Sequence, residues 1–144
     1  QGLGELDAKV FETVMRTNAY APLAMARAFL PQIEASAQKN IVVLTSGLSS
    51  LANTRNFGNL YFYRMGKAAA NMAMRALQAD LRAKGIEVGI LAPGIVDTRL
   101  LRQSGWTGEA LDPETSAAGV IRNIARLKGQ DPQIHLYSGD AVPW

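Results

Sequence analysis

Asn40-Ile41-Val42-Val43-Leu44-Thr45-Ser46 is a short unbroken run of β-branched residues and leucine, closed by two hydroxyl side chains. A half-exposed strand alternates apolar with polar, whereas this run has the composition of a strand covered on both faces in a parallel sheet. Residues 86–91 form a second such run and residues 134–137 a shorter third. What lies between them decides how they pair. Upstream, from residue 7, Val10, Phe11, Val14, Ala21, Met25, Ala26, Phe29, Leu30 and Ile33 follow helical spacing, predicting a helix to about residue 35. Downstream, residues 48–60 carry Asn53, Asn56, Gly58 and Asn59 and read as a turn-rich loop. A helix over 61–84 follows, with Met65, Ala69, Met72, Ala73, Ala76, Leu77 and Leu81 on one face and Gly85 at its stop. After the second strand, Pro93 and Gly94 break the chain, and Asp112-Pro113-Glu114 starts another helix, expected to reach about residue 128.

Helices alternating with short buried strands call for parallel pairing through right-handed crossovers, so the fold class is α/β, a doubly wound layer with about three strands. Ligands in such sheets bind at the carboxyl ends of the strands. Ser46, the turn from Pro93 to Thr98 and the start of the 61–84 helix all fall at that edge.

Tyr63 and Lys67 stand four residues apart on that helix, hence on one face, a turn apart. A free tyrosine ionises near pH ~10, so using one as a proton donor and acceptor at neutral pH takes about 4 kcal/mol. A cation at about 4 Å supplies an energy of that order at an effective dielectric near 20. Asn18 lies on the apolar stripe of the first helix, where a polar side chain without a partner costs about 1–3 kcal/mol. Pro22, four residues later, has no N–H, which removes the helical donor of the Asn18 carbonyl and predicts a bend there.

Composition sets the outer limits. The chain has 144 residues, 48% hydrophobic and 19% charged, enough for one domain with a core of its own. The net charge of +3 is spread from Lys9 to Lys128 without a cluster, which argues against a nucleic-acid partner. Zero cysteines and the single His135 argue against a metal site and against imidazole triads. No apolar run approaches the ~20 residues of a membrane span, and residues 1–7 lack the pattern of a signal peptide. The expectation is a soluble, cytoplasmic protein with no membrane partner.

Taken together, Asn18, Ser46, Tyr63 with Lys67, and Pro93-Gly94 leading to Thr98 resemble, in order and spacing, the short-chain dehydrogenase/reductase family over essentially the whole chain. Within it, Gly47-Leu48-Ser49-Ser50-Leu51, Tyr61-Phe62-Tyr63-Arg64 and the closing Gly139-Asp140-Ala141-Val142-Pro143-Trp144 are similar to the C-factor-like carbonyl reductase branch. The resemblance implies a Rossmann-like sheet and an NAD(P)-dependent oxidoreductase acting on a small carbonyl or secondary alcohol. Catalytic roles would fall to Asn18, Ser46, Tyr63 and Lys67. Tyr63 would be the general acid/base, and Lys67 would act beside it and bind the nicotinamide ribose. Ser46 would hydrogen-bond the substrate oxygen, and the Asn18 carbonyl would hold a water linked to Lys67. Pro93, Gly94, the Val96 backbone and Thr98 would meet the nicotinamide. The cofactor would be NADP or NAD, with NADP slightly favoured. The resemblance further implies a homo-oligomer through the helices at 7–35 and 61–84, and a substrate-covering loop around 100–108 with Leu101 and Trp106 as an apolar wall.

Two departures accompany the resemblance. The family's commonest serine-to-tyrosine spacing is met by Ser50, while Ser46 stands at the strand end, where a rigid element can fix it. Ser46 is the preferred candidate and Ser50 the alternative. The family's Gly-rich turn and first strands are also missing, and Gly2-Leu3-Gly4 follows no expected strand, so it reads as a loop. The match is therefore to the carboxyl-terminal, catalytic part of a family member. By itself it is expected to expose one sheet edge and to bind dinucleotide poorly. A non-catalytic binding module on the same fold is the competing function.

Overall fold

The computed structural model describes residues 2–54, 58–129 and 132–144; Asn56 of the expected loop lies outside them. Three parallel strands and one antiparallel strand form a single sheet in the order β1 (Asn40–Leu44), β2 (Glu87–Ala92), β3 (Ile134–Leu136), β4 (Ala141–Val142). Val43 pairs with Ile90, Ile90 with Ile134, and Ile134 with Val142. The parallel α/β sheet expected from the three buried runs is present. The two-residue β4, too short to leave a periodic signal, adds a fourth strand.

Alternation along the strands sorts the two faces. Val43, Val88, Ile90 and Ala92 join Met74 in the core on one face, beneath helix α4 (Tyr61–Leu81). On the other, a Cβ at Gly89 would come within 2.8 Å of Leu127, so the bare backbone there lets the segment after helix α6 (Pro113–Ile124) close onto the sheet. Helices thus cover both faces, as a doubly wound layer requires. The α6 helix stops at Ile124, short of the expected 128, and its Asp112 cap accepts from the Thr115 amide at 2.8 Å.

The expected single helix over 7–35 is broken. Its parts are α1 (Ala8–Met15), a π-helical turn (Arg16–Tyr20), α2 (Ala21–Ala28) and α3 (Leu30–Ala35). Pro22 and Pro31 cause this, since neither has an N–H to donate. The chain widens one turn ahead of the first, where the Ala21 amide bonds the Arg16 carbonyl, and breaks at Phe29 ahead of the second.

The buried stripe of α4 also differs from expectation. Phe62, Gly66, Ala70, Asn71, Met74, Gln78 and Leu81 face inward, whereas Met65 and Met72 are exposed. Two buried amides share the core face, so the expected stripe holds at Leu81, Ala73 and Leu77, which reach the core or its margin, and misses Asn71 and Gln78. Gln78 explains its own presence: its Nε2 donates to the Ile86 carbonyl (3.0 Å) and its Oε1 accepts from the Val88 amide (2.6 Å). Phe11 meets Phe62 edge-on at 5.4 Å, fixing α1 against the start of α4.

Among the described residues β1 pairs only with β2. Along its other side runs an apolar groove of about 210 Å³ between β1, α2 and α3, bordered by Pro22, Met25, Phe29, Ile33 and Ile41. Leu44 is half exposed. No helix among the described residues is long and apolar enough to cross a membrane.

Replacing Gln78 by Leu keeps the volume and removes both partners at once. At about 1–3 kcal/mol for each orphaned main-chain group, Gln78→Leu is expected to cost several kcal/mol, read as a lower urea midpoint against an Asp80→Ala surface control.

Candidate functional site

β1 delivers Thr45 and Ser46 to the carboxyl edge of the sheet. Thr45 is still tied to β2 through its amide and the Leu91 carbonyl (2.8 Å). Ser46 is extended (φ −149°) and caps the short 3-10 turn Gly47–Ser49, its Oγ accepting from the Leu48 amide at 3.2 Å. That bond uses one lone pair, leaving the hydroxyl proton and the second lone pair for another partner.

The two candidate serines differ sharply. Ser50 is 1% exposed; its Oγ donates to the Pro143 carbonyl at 2.5 Å and accepts from the Asn53 amide at 3.2 Å. With Ala52 donating to the Trp144 carbonyl (2.8 Å), Ser50 fastens the loop to the segment after β4. Ser46 is half-buried and keeps a free valence at the sheet edge.

Tyr63 and Lys67 occupy successive turns of α4, both half-buried. The Lys67 ammonium lies 5.8 Å from the centroid of the Tyr63 ring and donates to the Leu44 carbonyl at 2.9 Å. It thereby bridges the helix to the residue two before Ser46. Burial lowers the Lys67 pKa from its ordinary 10.5, because desolvation disfavours the ammonium. Asn18 reaches the same turn of α4 from the other side. It sits inside the π-helical turn, and a Cβ at Gly66 would stand 3.1 Å from the Asn18 Cβ and 3.2 Å from Val14. A Cβ there would press on both neighbours, so the glycine between Tyr63 and Lys67 eases this close approach. The Asn18 amide nitrogen is bonded to the Val14 carbonyl (3.0 Å).

The turn after β2 brings Pro93, Gly94, Val96 and Thr98 to the same edge. Gly94 takes φ +85°, and a Cβ there would strike Leu111 at 2.8 Å. A parallel bridge joins Val96 to Leu111, using the Asp97 amide and the Ile95 carbonyl. This pattern turns the N–H and carbonyl of Val96 to the opposite side. Thr98 caps helix α5 (Arg99–Gln103) through its Oγ and the Leu101 amide (3.3 Å), so the stretch read as a polar loop contains a helical turn. Asp97 and Arg102 make two parallel hydrogen bonds of 2.8 and 2.9 Å across its start. Leu101 is half-buried, whereas Trp106 is 48% exposed and donates from Nε1 to the Glu109 carbonyl.

Three further residues at the site, Arg64, Ser49 and Asn71, have no role assigned from the sequence, although Arg64 and Ser49 lie in the stretches that carry the resemblance. Arg64 donates from Nε to the Asn59 carbonyl (3.0 Å) and from Nη1 to the Leu48 carbonyl (3.2 Å) and Thr54 Oγ1 (3.1 Å). It spans the loop from Leu48 to Asn59 and faces two consecutive left-handed residues, Asn59 (φ 65°) and Leu60 (φ 52°). Asn71 and Ser49 form a buried pair behind Ser46. The one available signal was spacing, since Asn71 continues the four-residue step of Tyr63 and Lys67.

A family model described as short chain dehydrogenase matches residues 1–107. C-signal of Myxococcus xanthus is 34% identical over 143 residues, covering 99% of this chain and 83% of that protein. The 1-hydroxy-2-glutathionyl-2-methyl-3-butene dehydrogenase of a Rhodococcus species is 35% identical over 125 residues, covering 87% and 54% respectively. Among solved structures, the NADPH-bound carbonyl reductase from chicken fatty liver superposes with a TM-score of 0.88 at 27% identity. The carbonyl reductase Sniffer of D. melanogaster gives 0.90 at 26%. Both structures cover the whole of this chain, which spans only 61% of their length.

The lowered pKa of Lys67 has a definite sign in stability. Between that pKa and 10.5 the unfolded chain binds more protons than the folded one, so stability rises with pH across this window. Urea unfolding at stepped alkaline pH is expected to show the rise in the parent chain and its loss in Lys67→Met.

Proposed function

The chain belongs to the short chain dehydrogenase family, and from that membership and the edge geometry we propose a specific reaction for the polypeptide containing these 144 residues. It transfers hydride between a nicotinamide dinucleotide and a small carbonyl compound or secondary alcohol, with Tyr63 as general acid/base. The observation that supports this reading is that Lys67, 5.8 Å from the Tyr63 ring, is bonded across to Leu44, two residues before Ser46.

The residues present suit a nicotinamide nucleotide. The half-buried Lys67 ammonium is a donor for ribose hydroxyls, and the outward Val96 N–H and carbonyl are complementary to a carboxamide. Pro93 and Gly94 shape the turn beside them, and Thr98 adds a hydroxyl. When bound, the nicotinamide supplies or accepts the hydride; the protein handles orientation and the proton. Ser46 directs its free O–H to the substrate oxygen. Tyr63 gives its phenolic proton to that oxygen in reduction and takes one from it in oxidation. The Lys67 ammonium faces the negative charge that develops on the phenol as its proton leaves. Asn18 holds, through its main-chain carbonyl, a water linked to Lys67. Since the carbonyl reductase structures include an NADPH-bound one, NADP is the cofactor we favour over NAD. Because the matched structures extend well beyond this length, dinucleotide binding by residues 1–144 alone is proposed to be weak.

The reading extends to assembly and place. Val10, Tyr20, Met65 and Met72 are exposed on the helices at 7–35 and 61–84, an apolar surface suited to a second copy. Leu101 and Trp106 wall the substrate side, and the reaction is assigned to the cytoplasm.

Tyr63→Phe removes one oxygen and leaves packing intact. Loss of a general acid/base costs about 10²- to 10⁴-fold, so NADPH oxidation with a panel of aldehydes and ketones is expected to fall by that much in Tyr63→Phe. A binding module on the same fold would keep its ligand affinity in this variant and show no turnover in either form.

A further inference from the structure

The geometry points to Asn71 and Ser49 as positioning residues that set Ser46 for the reaction, a role that rests on the function proposed above. Tyr63, Lys67 and Asn71 descend one stripe of α4 at four-residue steps. The second rung holds the Leu44 carbonyl at 2.9 Å. The third reaches Ser46 itself through Ser49: Asn71 Nδ2 donates to Ser49 Oγ at 2.8 Å, and Ser49 Oγ donates to the Ser46 carbonyl at 2.6 Å. The helix that carries the tyrosine therefore grips the strand end on both sides of the serine turn.

The direction of the bonds is fixed by counting. A serine hydroxyl has one proton and two lone pairs. The Asn71 amide fills one lone pair of Ser49, and Thr45 Oγ1, 3.3 Å away, fills the other by donating. The single Ser49 proton is left for the Ser46 carbonyl. All three side chains are at least 95% buried, with Asn71 at 2%, Thr45 at 3% and Ser49 at 5% exposure, so water does not compete for these bonds. Asn71 Oδ1 is buried and meets no donor among the described residues. An amide kept in a core with half its capacity unused is held there by what its other half does. With the amide reversed, Oδ1 would face Ser49 and claim its proton, and the Ser46 carbonyl would keep only the Ser49 main-chain amide at 3.0 Å.

The test is a double-mutant cycle in the full polypeptide, following carbonyl-dependent NADPH oxidation. Ser49→Ala deletes one buried oxygen and should fold. Asn71→Ala removes the donor to Ser49 outright. A displacement of about 1 Å at a reacting group costs up to about 100-fold, so both variants are expected to lower kcat about 10- to 100-fold with little change in the nucleotide KM. In a Ser46→Ala background the same substitutions should cost nothing further in kcat, because the group they position is gone. A purely structural role would lower kcat by the same factor in either background. Wild-type kcat in Ser49→Ala while Tyr63→Phe is inactive, or an undiminished loss on top of Ser46→Ala, would overturn the proposal. Full activity in Tyr63→Phe would instead remove the reaction on which the proposal stands, and the proposal with it.

Discussion

Gln78 binds the main chain at two points around the start of β2, the Ile86 carbonyl just before it and the Val88 amide within it, and this pair of bonds sets where α4 lies along the sheet. A helix packed only through aliphatic side chains can shift with small loss, since apolar contact is non-directional. A side-chain amide bonded to fixed backbone groups allows one register. From that register Met74 falls into the core, Asn71 falls behind Ser49, Lys67 reaches the Leu44 carbonyl and Tyr63 arrives at the sheet edge. The candidate chemistry is thus placed by an anchor four helical turns away from it.

The same helix meets two opposing demands. Its inner stripe must be apolar enough to close the core, yet its first half must carry an ammonium, a phenol and a buried amide. Small residues reconcile these demands. Gly66 and Ala70 take almost no volume on the inner stripe, so the π-helical turn with Asn18 and the strand end can both come close to the polar rungs beside them. Bulk is confined to Phe62, against Phe11, and to Met74, against the strands. The desolvation felt by Lys67 follows from this close approach.

How much of this was legible in the sequence divides along physical lines. The strands were legible because runs such as Ile41 to Leu44 have the composition of parallel strands, although of β1 only Val43 is buried and Leu44 is half exposed, so the coverage on both faces expected of that run is not found. Tyr63, Lys67 and the Pro93-Gly94 turn were legible as a pattern at a strand edge and as a family resemblance. The broken first helix was half legible: Pro22 announced a bend, but whether the chain answers with a kink or a π turn depends on what packs against it, here Gly66. The buried face of α4 was legible only in part, at Ala73, Leu77 and Leu81, because Asn71 and Gln78 look like surface residues and only their partners show why they are inside. Ser46 is preferred to Ser50 in the sequence for its place at the strand end, and what three dimensions add is the partner of Ser50. Ser50 owes its burial to Pro143, which no local pattern could announce.

That last bond joins residues 93 positions apart, and the neighbouring one ties Ala52 to Trp144. β1 and β4 are the two outer strands of the described sheet, so the serine turn is braced from both margins: by Lys67 and Ser49 at the end of β1, and by the Pro143 and Trp144 carbonyls beyond β4. Displacing the segment after β4 would therefore disturb the candidate serine from the far margin of the sheet, without touching it.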